Sequence, residues 1–394
     1  MAGVEDNRRP QRSVTVLITN LDLGGAEVQA VRMAMGLAER GRRVRMLSLL
    51  PPRAFGRELA AAGIPVLDLG LRGWATLPSA VVRLYRELRR HRPGVLVAFN
   101  YHANVLAKIV GRLAGVKAIV PSIGTEFFGG RLRERLEAAT APLAPITSTN
   151  SELVGESLVR RGIVPRERLR VVLNAALVPG ETIGPARRAA LRAEMGGGEQ
   201  DLLWLAVGRF ESQKDYPNLF AAFGELAARH PEAKLVLVGY GSLDAEVREL
   251  ARTSPAADRI RVLGKRTDVM DLLQACDAYV LSSVIEGMPN TVIEAMAAAL
   301  PIVATNVGGM AELLGEGDCG LMVPARDAAA LAGAMAQVMG LDAAARRTMG
   351  ERARARMRRR HGVEAVLDRW EELCREAMAG GGRPGGGRHG GVHE

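Results

Sequence analysis

The chain has 394 residues, of which 48% are hydrophobic and 4% aromatic. Its length fits two domains of ordinary size, and its apolar content excludes wholesale disorder. The formal net charge of +10 favours an anionic partner. The shortage of aromatic side chains argues against single-stranded nucleic acid, whose bases stack on aromatic rings, so we expect no nucleic-acid partner.

The positive charge is concentrated in the first half of the chain. Residues 1–175 carry 27 Lys and Arg against 14 Asp and Glu, whereas residues 176–394 carry 26 against 29. A cationic half favours a membrane surface or a phosphate-bearing lipid, unless it is simply an Arg-rich solvated surface. The polar N-terminus, the absence of a long uncharged run and three widely spaced cysteines predict a cytoplasmic protein with at most peripheral membrane contact.

Short apolar runs alternate with amphipathic segments along the whole chain. In the first half this pattern predicts strands at 13–19, 43–49, 64–69, 94–99, 117–123 and 145–149. In the second half it predicts strands at 201–207, 233–238, 259–263, 277–282 and 301–305. The intervening segments, such as 26–40, 77–91 and 267–275, have helical periodicity. This alternation predicts an α/β protein of two doubly wound parallel-sheet domains, with ligand crevices at the carboxyl ends of the strands facing each other across a cleft.

Pro and Gly residues interrupt the pattern near 175–200 and indicate the domain boundary. We expect a disordered N-terminus at 1–12 and a disordered Gly-rich tail at 380–394. The first domain is predicted at 13–178 and the second at 179–361, and a helix at 362–379 is expected to return to the first domain.

The segment 282–312, SSVIEGMPNTVIEAMAAALPIVATNVGGMAE, carries the strongest functional pattern. Glu286 follows a predicted strand, and a helix that begins near Asn290 contains Glu294. Two carboxylates at this edge can accept hydrogen bonds from sugar hydroxyls, and the helix start offers N–H groups to a phosphate. The pattern therefore indicates a nucleotide-sugar site, unless Glu286 is merely exposed and Glu294 structural.

Two cations follow a predicted strand in the segment 205–219, LAVGRFESQKDYPNL. Arg209 and Lys214 can clamp a diphosphate and stabilise its departure, or they are solvated side chains. In LITNLDLGGAEVQA, Gly24 and Gly25 precede a helix and permit a phosphate to approach the backbone closely.

A glycine turn also follows the strand predicted at 233–238. Gly239 and Gly241 match the start of a dinucleotide fingerprint, but Asp244 stands at the third glycine position. We expect a tight strand-to-helix turn here rather than a nicotinamide site.

These segments, in this order and spacing, resemble the retaining nucleotide-sugar glycosyltransferases of glycosyltransferase family four, which have the GT-B fold. Further matching stretches are TNSELVGESLVRRGI at 149–163, VVLNA at 171–175, the stretch 262–283, and CGLMVP at 319–324 as a loop after the last strand. The resemblance implies an N-terminal acceptor-binding domain and a C-terminal nucleotide-sugar-binding domain.

The implied reaction transfers a sugar, with retention, from a nucleotide-diphosphate sugar to a hydroxyl of a lipid-linked or cell-envelope glycan. UDP is the expected nucleotide. A nucleotide-sugar epimerase on the same fold and a non-catalytic nucleotide-sugar-binding partner subunit remain as alternatives.

The resemblance also assigns roles to individual residues. Glu286 would contact the donor sugar, Glu294 the ribose hydroxyls, and Arg209 and Lys214 the diphosphate. The other implied donor-site positions are Gly24, Gly25, Gly287, Met288, Asn290, Thr291 and, near the base, Arg266. No metal and no cofactor are expected, because the two cations take the place of a metal.

One departure from the family pattern affects the choice of catalytic residues. Gly124 stands where many members carry a histidine that contacts the sugar. His102, which follows the strand predicted at 94–99, is the candidate to replace it, and Glu126 is a further candidate for activating the acceptor.

The acceptor side combines apolar and basic residues. The segment 127–139, FFGGRLRERLEAA, contains Phe127, Phe128, Arg131, Arg133 and Arg135. Such a mixture suits an interfacial contact with anionic lipid. We therefore expect the first domain to dock on the inner face of the cytoplasmic membrane and to receive a lipid-linked acceptor there.

Overall fold

The computed structural model describes residues 13–176, 182–315, 317 and 319–380. The chain separates into two compact units, one formed by Met1–Leu173 with Glu364–Glu394 and the other by Asn174–Val363. The segment 1–12, the tail from 381 onward and the domain boundary predicted at 178/179 lie outside the described residues.

The first unit is built on a parallel sheet. Its strands are β1 (Ser13–Ile18), β2 (Arg43–Ser48), β3 (Val66–Asp68), β4 (Val95–Phe99), β5 (Ile119–Ile123), β6 (Thr147–Thr149) and β7 (Leu169–Val171). Its helices up to this point are α1 (Gly25–Glu39), α2 (Gly56–Ala61), α3 (Leu77–His91), α4 (Tyr101–Leu113), α5 (Arg131–Thr140) and α6 (Glu152–Arg160). The strand order β3-β2-β1-β4-β5-β6-β7 reverses between β1 and β4.

The second unit repeats this plan. Its strands are β8 (Leu202–Val207), β9 (Ala233–Val238), β10 (Ile260–Gly264), β11 (Ala278–Leu281), β12 (Ile302–Thr305) and β13 (Leu321–Val323). Its helices are α7 (Pro185–Glu194), α8 (Tyr216–Arg229), α9 (Asp244–Thr253), α10 (Val269–Ala275), α11 (Asn290–Ala297), α12 (Met310–Leu314), α13 (Ala328–Gly340) and α14 (Ala343–His361). The order β10-β9-β8-β11-β12-β13 reverses between β8 and β11.

The last described helix, α15 (Val363–Met378), belongs to the first unit. The Trp370 ring lies 5.8 Å from the ring of Phe99 at the end of β4. Arg40, after α1, donates to Asp368 at 2.8 Å and to the Glu364 carbonyl at 3.2 Å. Apolar packing and ion pairs thus fix this helix on the same unit as α1.

The fold class predicted from the sequence, two parallel-sheet α/β domains, is confirmed. The longer strands were predicted because they are continuous apolar runs, as expected for strands buried on both faces. The interpretation of 319–324 as a loop beyond the last strand is wrong, because Leu321–Val323 forms β13 and pairs with β12. The sequence also does not predict β7, an edge strand of the first sheet whose residues Leu169–Val171 are interrupted by the polar Arg170.

Two buried cores hold the sheets to their helices. In the first unit, Leu84 and Leu88 of α3 pack with Ala103 and Ala107 of α4. In the second, apolar residues of α8 pack against β9 and those of α13 against β12 and β13. Among the described residues no single helix combines the length and apolar composition of a membrane span; Ala328–Gly340 and Ala343–Met378 meet those criteria only as a pair bent by 115°.

A buried ion pair joins α4 to α5. Lys108 Nζ donates to Glu137 Oε1 and, at 3.3 Å, to the Glu137 carbonyl, while the two residues are only 1% and 2% exposed. Burial lowers the pKa of Lys108 and raises the pKa of Glu137, and the opposite charge of each partner counteracts that effect. Each buried charge is stabilised by its partner, and the ion pair joins α4 to α5.

We predict that Lys108→Met lowers the free energy of unfolding by about 3–5 kcal/mol, because it strands a carboxyl group in the core. The double variant Lys108→Met/Glu137→Leu should recover most of this loss, since no buried charge remains. Urea denaturation would measure both. An unchanged denaturation midpoint for Lys108→Met would contradict the buried pair.

Candidate active site

The reversal of strand order in the second unit brings two predicted segments together. Arg209 and Lys214 lie in the loop after β8, and Glu286 lies in the loop after β11. Because β8 and β11 are parallel neighbours, both loops leave the sheet at the same edge. In doubly wound sheets this reversal point is where ligands bind.

Lys214 and Glu286 form the central contact of this edge. Lys214 Nζ lies 2.5 Å from Glu286 Oε1, and the side chains are only 12% and 11% exposed. The Ser283 hydroxyl donates to the same oxygen at 2.7 Å. The other carboxylate oxygen, Oε2, has no hydrogen-bond partner within the part of the chain that the structure describes, and can accept one from a ligand hydroxyl.

The two loops are also joined through their backbones. The Val284 N–H donates to the Gln213 carbonyl at 2.8 Å, and the Ser282 hydroxyl donates to the Lys214 carbonyl at 2.7 Å. These bonds fix the loop after β8 against the loop after β11. The Lys214–Glu286 pair is therefore held by its supporting backbone as well as by its own charges.

Arg209 differs from Lys214 in its surroundings. It is exposed, and its guanidinium makes no ion pair or side-chain hydrogen bond to any described residue. The next residue, Phe210, is buried and its N–H donates to the Tyr240 carbonyl at 2.8 Å, which fixes the backbone beneath Arg209. A fixed backbone with an unpaired cation leaves Arg209 available to an anionic ligand.

Glycines permit close backbone contacts beneath both loops, the one after β8 and the one after β11. A Cβ on Gly308 would lie 2.1 Å from the Glu286 carbonyl oxygen, and a Cβ on Gly239 would lie 1.9 Å from the Gly208 carbonyl oxygen. The Gly309 N–H donates to the Gly287 carbonyl at 2.7 Å. The loop that carries Glu286 thus rests directly on the backbone of 308–309.

The start of α11 holds the remaining residues of this cluster. The Tyr279 hydroxyl donates to Thr291 Oγ1 at 2.7 Å, and burial raises the pKa of Tyr279 far above its ordinary range. Asn290 begins the helix, whose N-terminal end carries a partial positive charge. Met288 is buried, and Glu294 is half-buried one turn further along. The positions from Met288 to Glu294 follow Glu286 within eight residues along the chain.

Arg266 follows β10, at the same end of the parallel sheet, and has acidic neighbours. Its guanidinium pairs with Asp268 at 2.7 Å and with Glu194, and these two partners raise its pKa further. Lys265 stacks its ammonium over the Tyr240 ring at 4.8 Å. The acidic partners already compensate the charge of Arg266, which the sequence did not indicate.

The first unit has a polar cluster at its own reversal point, between β1 and β4. Gly24 precedes α1, which begins at Gly25, and Glu27 Oε2 lies over Gly24, only 2.2 Å from where a Cβ would be. Asn100 Nδ2 donates to Glu27 Oε1 at 2.9 Å, and Asn100 has a φ of +71°. Sequence reasoning missed Asn100; its position directly after a strand was the available signal.

His102 lies in the first turn of α4. Its ring packs edge-on against Tyr101 at 5.2 Å, and the Arg133 guanidinium lies over the Tyr101 ring at 5.5 Å. Partial burial lowers the pKa of His102, and the charge of Arg133 lowers it further. Both effects favour the neutral imidazole. Gly124 and Glu126 follow the neighbouring strand β5, and Glu126 is exposed.

The segment predicted to face a membrane divides into two sets. Phe127 and Leu132 are 64% and 81% exposed, and Leu136, one turn after Leu132, is also exposed. Arg131, Arg133 and Arg135 are exposed as well. Phe128 instead is buried and packs with Ile123, Val154 and Leu158, so its ring is not part of this surface.

Metal ligation has no candidate within the described ranges, because no group of three or more His, Cys, Asp or Glu side chains lies close enough to hold an ion.

Comparison with known proteins identifies the class of enzyme to which this fold belongs. Residues 188–356 match the family model of group 1 glycosyl transferases, and residues 24–175 match the glycosyl transferase 4-like domain. The chain is 35% identical to glycogen synthase from Mycobacterium tuberculosis over 313 residues, covering 78% of this chain and 70% of the relative.

The chain belongs to the group 1 glycosyltransferases, which confirms the resemblance seen in the sequence. It is 26% identical over 233 residues to N-acetyl-alpha-D-glucosaminyl L-malate synthase from Bacillus anthracis, and spans 60% of that relative's length. The crystal structure of Anabaena HepE in complex with UDP and glucose has a TM-score of 0.83 at 19% identity, covering 93% of this chain and 100% of HepE. That likeness establishes the GT-B fold.

The pKa of His102 provides a first test of the site in the first unit. We predict that it titrates below its ordinary value of 6.5 and that Arg133→Gln moves its pKa part of the way back, since a neighbouring cation disfavours imidazolium. NMR titration of the imidazole signals would measure this. His91, whose lowered pKa has burial, Arg45 and Arg90 as causes, is the internal control and should not move. A wild-type His102 pKa at or above 6.5 would contradict the arrangement.

Proposed function

We propose that the protein is a retaining glycosyltransferase that moves a hexose from a UDP-sugar to a hydroxyl of a lipid-linked or cell-envelope glycan. The observation that carries this proposal is the buried Lys214–Glu286 pair beside the unpaired Arg209, at the strand-order reversal of the second unit. The likeness to a fold that binds UDP and glucose in HepE supports it.

In this proposal each side chain has a distinct task. Glu286 Oε2 accepts a hydrogen bond from a hydroxyl of the donor sugar, while Glu294 accepts from the ribose hydroxyls. Arg209 donates to the diphosphate. Lys214 uses one N–H on Glu286 and can direct another to the diphosphate, because an ammonium has three donors. The N-terminal end of α11 adds a partial positive charge.

The proposed reaction balances without further reactants. The bond from sugar C1 to the diphosphate oxygen breaks, and a bond from C1 to the acceptor oxygen forms on the same face of the sugar. The acceptor proton passes to the departing diphosphate. Arg209 and Lys214 stabilise the charge that develops on that diphosphate, so we assign no metal or cofactor to this step. Neutral His102 is proposed as a hydrogen-bonding partner of the substrates.

Lys214→Met should lower kcat/KM by about 10²–10³-fold, because it removes charge from the departing diphosphate. Glu286→Gln should cause a loss of similar size through the sugar contact. Release of UDP from UDP-sugars in the presence of acceptor would measure both. Product anomers, assigned by NMR coupling constants, should match the donor's configuration.

Lys234→Met is the matched control, since Lys234 and Asp201 form a half-buried Lys–carboxylate pair of 2.9 Å at the opposite end of the same sheet. Its kcat/KM should stay within about twofold of wild type, because a half-buried pair remote from the reaction affects stability only. Wild-type activity in both Lys214→Met and Glu286→Gln would refute the assigned site. Interconversion of the donor sugar without acceptor would instead indicate an epimerase.

We also propose that an exposed surface of the first unit binds anionic lipid at the inner face of the cytoplasmic membrane. This surface, the α5 face, consists of Phe127, Arg131, Leu132, Arg135 and Leu136. Residues 132 and 136 lie one turn apart and so point the same way, as do 131 and 135. Apolar side chains flanked by arginines can enter the headgroup region while the guanidinium groups meet lipid phosphates.

Vesicle flotation would test the α5 face. Wild type should bind vesicles that contain anionic lipid at low salt, and less at high salt. Arg131→Gln/Arg135→Gln should lower the partition coefficient on the order of tenfold or more, since each arginine near the surface contributes about 1 kcal/mol. Leu132→Ser should weaken binding further.

Leu153→Ser is the matched control, because Leu153 is an exposed leucine on α6 outside the α5 face. Its binding should equal that of wild type. No binding of the wild type to anionic vesicles at low salt would overturn the membrane proposal without affecting the donor-site proposal.

A further inference from the structure

The chain passes between the two units twice, and both passages are short. The first lies between Leu173 and Asn174, and the second between Val363 and Glu364. On the side of the first unit, the Val172 N–H donates to the Thr149 carbonyl at 2.8 Å. Only Leu173 lies between Val172, which makes this hydrogen bond, and Asn174. The first passage is therefore short.

On the side of the second unit, the two passages are hydrogen-bonded to each other. His361 Nδ1 lies 2.8 Å from the Asn174 carbonyl oxygen, and the Ala176 N–H donates to the His361 carbonyl at 2.8 Å. Because a carbonyl only accepts, Nδ1 carries the proton. His361 is 2% exposed and Asn174 is 7% exposed, so both bonds are shielded from water. Residues 174–176 and His361 therefore form one closed unit, here called the crossing clamp.

The crossing clamp reaches the proposed donor site through one side chain. Asn174 Nδ2 donates to the Met288 carbonyl at 3.2 Å and to Asn290 Oδ1 at 2.6 Å. Met288 and Asn290 follow Glu286 in the loop that leads into α11, here called the donor loop (286–290). The same loop is held from its other side by the Gly309 N–H on the Gly287 carbonyl. Asn174 therefore joins the donor loop, through its side-chain amide, to the crossing clamp, through its backbone carbonyl.

We propose that Asn174 is a positioning residue that couples occupancy of the donor loop to the order of the two chain passages. This inference rests on the proposed function, since it takes the donor loop to be the nucleotide-sugar site. A ligand that orders the donor loop also orders the Met288 carbonyl and Asn290 Oδ1, which accept hydrogen bonds from the Asn174 amide. Through Asn174, the same ligand orders the crossing clamp. The coupling is reciprocal: an ordered clamp favours the loop conformation that binds the ligand.

Hydrogen–deuterium exchange with UDP as the probe tests this coupling. In wild type, saturating UDP should slow exchange in the donor loop and also at residues 172–176 and 359–363. In Asn174→Ala, the Kd for UDP should rise about tenfold, as expected for loss of a buried hydrogen bond. At saturating UDP this variant should still protect the donor loop but no longer the two passages, an effect that general destabilisation would not produce.

Asn174→Asp is the second variant in case Asn174→Ala folds poorly. It keeps the size of the side chain but replaces the donating nitrogen with an oxygen that faces two acceptors. Asn104→Ala is the matched control, since the amide of the buried Asn104 also donates to a carbonyl, that of Ser122 at 2.9 Å, in the first unit. Its Kd for UDP and its UDP-induced protection should match wild type even where its melting temperature falls.

The outcomes separate the two proposals. If wild type shows no protection of the donor loop by UDP, the donor-site assignment itself fails. If wild type protects the loop and both Asn174 variants protect the passages as wild type does, the coupling is overturned while the donor site stands.

Discussion

The Lys214–Glu286 pair is the interaction on which the arrangement of the second unit's candidate site depends. It joins the loop after β8 to the loop after β11 across the point where the strand order reverses. Neither charge is favourable there alone, because both side chains are almost nine-tenths removed from water. In the pair, Glu286 Oε1 is occupied by Lys214 and Ser283, which leaves Oε2 without a hydrogen-bond partner among the described residues. The sheet topology brings the two loops together, and the ion pair fixes the positions of their charged groups.

The first unit uses the same topology with different groups. Its reversal point carries Glu27, held by the amide of Asn100, where the second unit carries an ammonium–carboxylate pair. Asn100 adopts a positive φ that few residues other than glycine tolerate, and its bond to Glu27 helps to compensate for this. Behind this edge, the buried Lys108–Glu137 pair sets α5 on α4 and so presents the α5 face to solvent.

Much of the fold and of the candidate site could be predicted from the sequence, and the rest could not, for physical reasons. Strands such as β8 and β9 are long apolar runs, and Glu286, Lys214 and Arg209 follow strands in a recognisable order. That Lys214 pairs with Glu286 could not be read, because 72 residues separate them. Likewise, Arg266 finds its acidic partner Glu194 only through the tertiary fold. Asn174 lies in the matching stretch VVLNA at 171–175, but its contacts with Met288 and Asn290 could not be read, because 114 and 116 residues separate the partners.

The contact between Gly308 and the Glu286 carbonyl has a consequence for redesigning the enzyme. The backbones of the donor loop and of residues 308–309 are in contact there, and no side chain would fit between them. The absence of side chains at 308–309 therefore sets the path of the donor loop. Substitutions that aim to shift the loop bodily would meet this backbone before they reached the ligand. If the proposed donor site is right, changes in sugar preference are therefore best sought among side chains at the start of α11, such as Thr291, with the backbone of the loop left in place.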